Sequence, residues 1–153
     1  MGERALSGAA AGLSLAGLGV STYLTIAHYD TAKVLACPEN GLVNCTKVTT
    51  SSYSSQLGVP LAVIGIVYFA VMVALQSPVV WRSTSPTMAT GRLVWAAGGA
   101  VTALWLIYVE LFRVDAICLY CTAVHAIAIV VFGLTVVGVA LGDRVDAEIP
   151  GGH

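Results

Sequence analysis

The sequence predicts an all-α integral membrane protein, a four-transmembrane-helix bundle, and three observations carry that expectation. Of its 153 residues 58% are apolar and only 10% are charged. The mean hydropathy is +0.87. Four apolar windows each reach the roughly 20 residues that a helix needs to cross a hydrocarbon core about 30 Å thick. A soluble domain carries roughly 25% charge. Seven Lys and Arg against eight Asp and Glu leave a formal charge of −1, so there is no basic face and nucleic acid is not expected as a partner. The length suits a single membrane domain over residues 1–153, with no room for a second, water-soluble module.

The windows are residues 5–27, 59–81, 93–112 and 117–141, and they leave a long loop over residues 28–58. Glu110, in the last turn of the third window, is the one charged residue inside them. Pro60 after Gly58 suits the start of the second helix, where its missing N–H would be unpaired in any case. Gln76, Ser77 and Pro78, then Ser83 to Thr90 with Pro86, end that helix and form a polar linker. Asp115 is placed to cap the fourth helix, which puts Cys118 at its third position. Asp143 to His153 reads as a short polar tail. The string Gly8-Ala9-Ala10-Ala11-Gly12 resembles a small-xxx-small face for packing inside the bundle. A signal peptide would also begin with a basic residue such as Arg4, but its apolar region runs only roughly 7 to 15 residues.

Positive charge near helix ends orients the chain. With both termini inside, Arg4, Arg82, Arg92 and Arg144 lie on the inner side, and Lys33, Lys47 and Arg113 on the outer. All four cysteines then fall in or beside the outer connections.

Cys37 and Cys45 flank seven residues that include the turn signal Asn40-Gly41, so the chain can double back and bring the two sulfurs together. Cys118 and Cys121 are three apart at the start of a helix and share a face. Two structural disulfides, a four-cysteine zinc site and a redox relay all use these residue types. Zinc sites favour closer first spacings than seven intervening residues. Disulfides stabilise chiefly by closing long loops, so a staple three residues apart in an apolar bundle gains little. The relay uses both pairs: thiolate is the attacking species, a helix N-terminus favours it, and a flexible outer pair can exchange with soluble proteins while a helix-mounted pair faces the membrane.

Cys37-x7-Cys45, the run Thr46-Lys47-Val48-Thr49-Thr50-Ser51-Ser52-Tyr53, Gly58-Val59-Pro60 with Gly65, and Cys118-Leu119-Tyr120-Cys121 together resemble the vitamin K epoxide reductase (VKOR) family. The order of the pairs separates it from the DsbB type of quinone-linked thiol oxidase, in which CxxC comes first. The resemblance implies a four-helix bundle around a quinone (menaquinone or ubiquinone), with a short half-helix after Cys45 capping the pocket from outside. It implies that Cys37 meets a thioredoxin-fold partner, Cys45 shuttles to Cys118, and Cys121 reacts with the quinone. It places Ser51 on the half-helix in support of the loop or pocket, and His125 where animal members carry a ligand-touching tyrosine. Many bacterial relatives carry a fused thioredoxin-like domain. This chain has none before His153, so either a separate DsbA-like extracytoplasmic partner is expected, at a bacterial inner membrane, or the sequence is a piece of a longer chain.

An ionisable group within a membrane helix is expensive and marks function by default. His125 lies one turn below Cys121 on the same face, which suits a quinone-side or proton-handling role as well as a plain interhelical hydrogen bond. Glu110 is expected to pair with Arg113 at i+3, with acceptance of quinone protons as the alternative. His28 reads as interfacial. Trp81, Trp95 and Trp105 with Tyr23, Tyr29, Tyr108 and Tyr120 read as an aromatic belt, and Tyr53 as lining the outer cap. No metal motif, phosphate loop or Ser-His-Asp arrangement is expected to operate. A four-helix binding or transport subunit with purely structural cysteines is the competing function.

Overall fold

The computed structural model describes residues 3–30, 35–38, 40–81 and 85–148, with side chains described from 4 to 142 within those ranges. Lys33, Arg82, Ser83 and the side chain of Arg144, all named above, lie outside the described set.

The architecture is helical. Helix α1 runs over Glu3–Tyr29, and a short helix α2 over Cys45–Thr49 leads into a two-stranded hairpin, β1 (Ser55–Gln56) and β2 (Val59–Pro60). Helix α3 follows over Leu61–Leu75, then one turn, α4, over Pro78–Trp81. Helix α5 covers Pro86–Val109 and runs into a π-helical turn at Glu110–Val114, and α6 covers Leu119–Glu148. Among the described residues three segments, Arg4–Tyr29, Pro86–Val114 and Leu119–Gly142, are long and apolar enough to cross a membrane, while α3 is a shorter apolar helix.

The arrangement of residue types within the bundle inverts that of a soluble protein. The inward stripe of α1 is Leu6, Ser7, Ala10, Ser14, Gly17, Ser21 and Leu24, at spacings of one to four residues and mostly small or hydroxylated. Large apolar side chains such as Val101, Leu104, Phe112 and Val137 point outward instead. Small residues let helices approach where lipid leaves no hydrophobic driving force between them, and hydroxyls satisfy themselves on the preceding turn. Ser14 Oγ, for instance, donates to the Ala10 carbonyl at 2.7 Å. Helix α1 packs on α3 and α6, α5 packs on α6, and α3 and α5 meet only sparsely.

Besides the polar tail expected from Asp143, where α6 instead runs on as helix to Glu148, four expectations need correction here. The second window does not form one helix over 59–81. It begins at Leu61, with Pro60 in the capping position, and breaks at Gln76-Ser77, because the residue before Pro78 is disfavoured in the helical region. At 15 residues α3 rises only about 22 Å. The linker expected over Ser83–Thr90 is helical from Pro86, which takes the first helical position after Ser85. Gly8 and Gly12 face outward with open space beside them, so the close approach falls further along α1, at Gly17, where a Cβ would stand 2.5 Å from the Phe69 ring.

Asp115 is the fourth. It does not cap α6 but ends the π-turn in the left-handed region, at φ 52°, a conformation that Asp tolerates better than most residues. The chain then runs extended to Cys118, whose carbonyl accepts the first helical hydrogen bond, from Thr122 N at 2.8 Å. Cys118 is thus the residue that caps α6.

Candidate functional site

The loop folds as its turn signal suggests. Asn40 and Val43 exchange backbone hydrogen bonds of 3.1 and 3.0 Å around Gly41, which takes φ +54°. Asn44 then caps α2, its Oδ1 accepting from Lys47 N at 2.8 Å. This reversal brings Cys37 and Cys45 within 6.2 Å at Cα, and they form a disulfide.

The loop is joined by backbone to the segment carrying the second pair. Val43 bridges Ile117 in parallel, Asn44 N–H donates to the Ile117 carbonyl at 3.1 Å, and Ile117 N–H donates to the Leu42 carbonyl at 2.8 Å. Asn44 and Ile117 immediately precede Cys45 and Cys118, so this register brings the two cysteines into one place. Both are fully buried, in a single apolar cluster with Val48, Val109, Val114 and Ala116, against which Cys37, Tyr53, Tyr120 and Cys121 also pack.

Cys118 and Cys121 carry free thiols. The Cys121 backbone N–H donates to Cys118 Sγ at 3.3 Å, so the sulfur does the work of an N-capping side chain. Cys118 stands just ahead of the apolar span Leu119–Gly142. Hydrogen bonding from the Cys121 thiol holds its pKa below the ordinary thiol value, the condition that favours thiolate.

Beneath the cysteines lies a largely apolar cavity of about 450 Å³. Cys121, His125 and Ser51, each singled out from the sequence, all line it, together with Tyr53 from the loop, His28 from the end of α1, and Glu110. Ser51 falls just past the end of α2 rather than on the half-helix expected there, and its Oγ donates to the Val48 carbonyl at 2.8 Å, which ties the residues after α2 into a turn.

Glu110 does not pair with Arg113, which is exposed. The π-turn swings the carboxylate inward: Oε2 accepts from Thr122 Oγ1 at 3.3 Å, and Oε1 stands 3.9 Å from His125 Nδ1. Glu110 and His125 are both buried, and His125 Nδ1 has no hydrogen-bond partner among the described residues. A π-turn inserts one extra residue per turn and is frequent at functional sites, but nothing in the run Glu110-Leu111-Phe112-Arg113-Val114 announces it.

Sequence reasoning passed over Tyr68 and assigned Trp95 to an interfacial belt. Both line the cavity. Their rings stack with centroids 6.2 Å apart at an interplanar angle of 16°, and Trp95 Nε1 donates to the Tyr68 carbonyl at 3.3 Å. Trp81 is also buried, with the Arg92 guanidinium 4.1 Å from its ring centroid. Trp105, Tyr108 and Tyr29 remain on the surface, as a belt requires.

Compared with known proteins, residues 9–136 match the model of the vitamin K epoxide reductase family. No curated protein matches the chain.

Proposed function

The chain belongs to the vitamin K epoxide reductase family, a membrane thiol oxidoreductase family, and on that premise we propose that it is a quinone-dependent thiol oxidoreductase. It oxidises the dithiol of a separate, extracytoplasmic thioredoxin-fold protein of the DsbA-like class and reduces a membrane quinone, menaquinone or ubiquinone, to the quinol. The partner's two thiols become a disulfide, and the two electrons and two protons they give up are those the quinone takes up. No metal takes part.

The observation that carries this reading is the shared cluster, which puts Cys45 beside the Cys118 segment while Cys121 borders the cavity. Electrons enter where Cys37 meets the partner, pass from Cys45 to Cys118 by thiol–disulfide exchange, and leave from Cys121. The low pKa of Cys118 suits it both as an attacking thiolate and as a leaving group. The cavity fits a quinone ring in kind. It is mostly apolar, of the size that small-molecule sites take, and lined by two residues, Tyr68 and His125, whose Oη and Nδ1 have no hydrogen-bond partner among the described residues. Residues 1–153 act as one membrane domain, α3 with α4 supplying the fourth crossing and α2 with the hairpin covering the cavity from outside. The chain sits in a bacterial inner membrane with both termini cytoplasmic and the cysteines on the extracytoplasmic side.

The test is anaerobic reduction of a quinone by the purified protein, driven by a reduced thioredoxin-fold protein, with each cysteine replaced by serine in turn. Loss of turnover in all four variants supports the relay. Normal turnover in Cys118→Ser or Cys121→Ser would mean that the cysteines serve only structure, as in the competing reading of a binding or transport subunit.

A further inference from the structure

The Tyr68 hydroxyl is buried and has no hydrogen-bond partner among the described residues, although its residue lines the cavity. Leaving a buried hydroxyl unpaired costs roughly 1–3 kcal/mol, and phenylalanine would fill the same space without that cost. The ring is held from two sides. Trp95 stacks on one face. On another, the backbone of α5 comes so close at Gly99 that a Cβ there would overlap the Tyr68 ring and hydroxyl. Glycine weakens a helix interior, so α5 gives up helical stability at the position that admits this side chain.

His125 presents the second such atom. The residue lines the same cavity from α6, while Tyr68 lines it from α3, and the rest of the lining is mostly apolar. A ligand that satisfies both needs two separate polar atoms on an otherwise apolar body. A para-quinone ring has that form, with one carbonyl oxygen at each end. We propose that Tyr68 is a binding and specificity residue that donates its hydroxyl hydrogen bond to one ring oxygen of the bound quinone, the other oxygen being left to the side of His125 and Cys121. The inference rests on the quinone reading above and names a residue that the cysteine relay does not involve.

The experiment follows ligand binding rather than turnover. Trp95 lies against Tyr68 in the cavity, so quenching of tryptophan fluorescence reports occupancy. The purified full chain in detergent is titrated with 2-methyl-1,4-naphthoquinone and, separately, with 1-tetralone, a fused ring of similar size carrying one carbonyl. The wild-type protein should bind the dione about tenfold more tightly than the monoketone, the worth of roughly one hydrogen bond. Tyr68→Phe should weaken dione binding by about tenfold, leave monoketone binding within about twofold, and leave the thermal midpoint of the ligand-free protein unchanged or higher, since no internal partner is lost. As a second variant, Gly99→Ala should weaken dione binding by displacing the ring.

Unchanged dione affinity in Tyr68→Phe overturns the role of Tyr68 and leaves the quinone reading standing. Failure of the wild-type protein to bind the dione at all overturns both. A Tyr68→Phe protein whose ligand-free midpoint falls markedly would make the hydroxyl a structural group and overturn the assignment.

Discussion

The Tyr120 hydroxyl, on the third residue of the CxxC segment, donates to the carbonyl of Ala36 at 2.9 Å, and Ala36 is the neighbour of Cys37. The Ala36 N–H in turn donates to the Tyr23 hydroxyl at 3.5 Å, and the two tyrosine rings lie 5.1 Å apart. One residue beside the outermost cysteine is thus held by its N–H and its carbonyl, from α1 and α6, so both tyrosines contact the loop that carries Cys37. Tyr120→Phe removes one partly exposed hydrogen bond, worth about 1 kcal/mol. Oxidation of a protein dithiol should slow severalfold, while quinone reduction driven by a small dithiol changes less. Parallel assays with the two reductants separate these effects.

The order of the cysteines predicts a trapped species. In Cys45→Ala, the Cys37 thiolate has no internal partner, so its attack on the disulfide of an oxidised thioredoxin-fold protein, which releases that protein's second sulfur as a thiol, should leave a covalent adduct on Cys37. Non-reducing gels followed by peptide mapping read it directly. An adduct on Cys118 instead would reverse the assigned direction of flow.

Cys118 titrates below an ordinary thiol because of its hydrogen bond with Cys121. A lowered thiol pKa means that thiolate persists as pH falls, so the rise in ultraviolet thiolate absorbance assigned to Cys118 should centre below the usual value of about 8.5. Cys121→Ala deletes that bond, and the midpoint should move up. A midpoint that stays put in Cys121→Ala would show that the pairing does not set it.

Glu110, Thr122 and His125 meet directly below the CxxC turn and beside the cavity. If the carboxylate and imidazole handle the protons that accompany the electrons, Glu110→Gln should lower quinone reduction about 100-fold, the low end of general acid–base contributions. Glutamine keeps an acceptor for Thr122, so the melting temperature should change little. Solvent deuterium isotope effects on single-turnover quinone reduction check that the lost step involves a proton.

Packing at the middle of the bundle gives a stability test. A methyl group at Gly17 would run into the buried Phe69 ring, and overpacking of this kind costs roughly 1–3 kcal/mol. Gly17→Ala should lower the thermal midpoint in detergent, and Gly12→Ala, with open space at that position, should not.

How much of this was legible depended on what kind of signal each residue gives. The long helices follow from runs of uncharged residues, and α1, α5 and α6 lie close to where those runs fall. The Asn40-Gly41 reversal follows from local chemistry that only a few residues allow. Both cysteine pairs stand out by residue type alone. Facing directions did not, because a membrane helix is apolar all round and offers no polar side to mark its exterior. That is why Trp95 reads as interfacial when it stacks on Tyr68 at the cavity. Asp115 misled for a related reason: Asp suits both an N-cap and a left-handed residue, and only the tertiary demand of the π-turn decides between them. The same turn redirects Glu110 from Arg113, its neighbour in sequence, to His125, which is 15 positions away in the chain.

The backbone ties joining Asn44 to Ile117 and Ile117 to Leu42 have a mechanical meaning. They clamp the stem of the arm that bears Cys45 to the strip that bears Cys118. The Cys37 end is moored separately, through Ala36 to Tyr23 and Tyr120. Each end of the outer disulfide thus has its own tether to the helices, and opening that bond cuts neither.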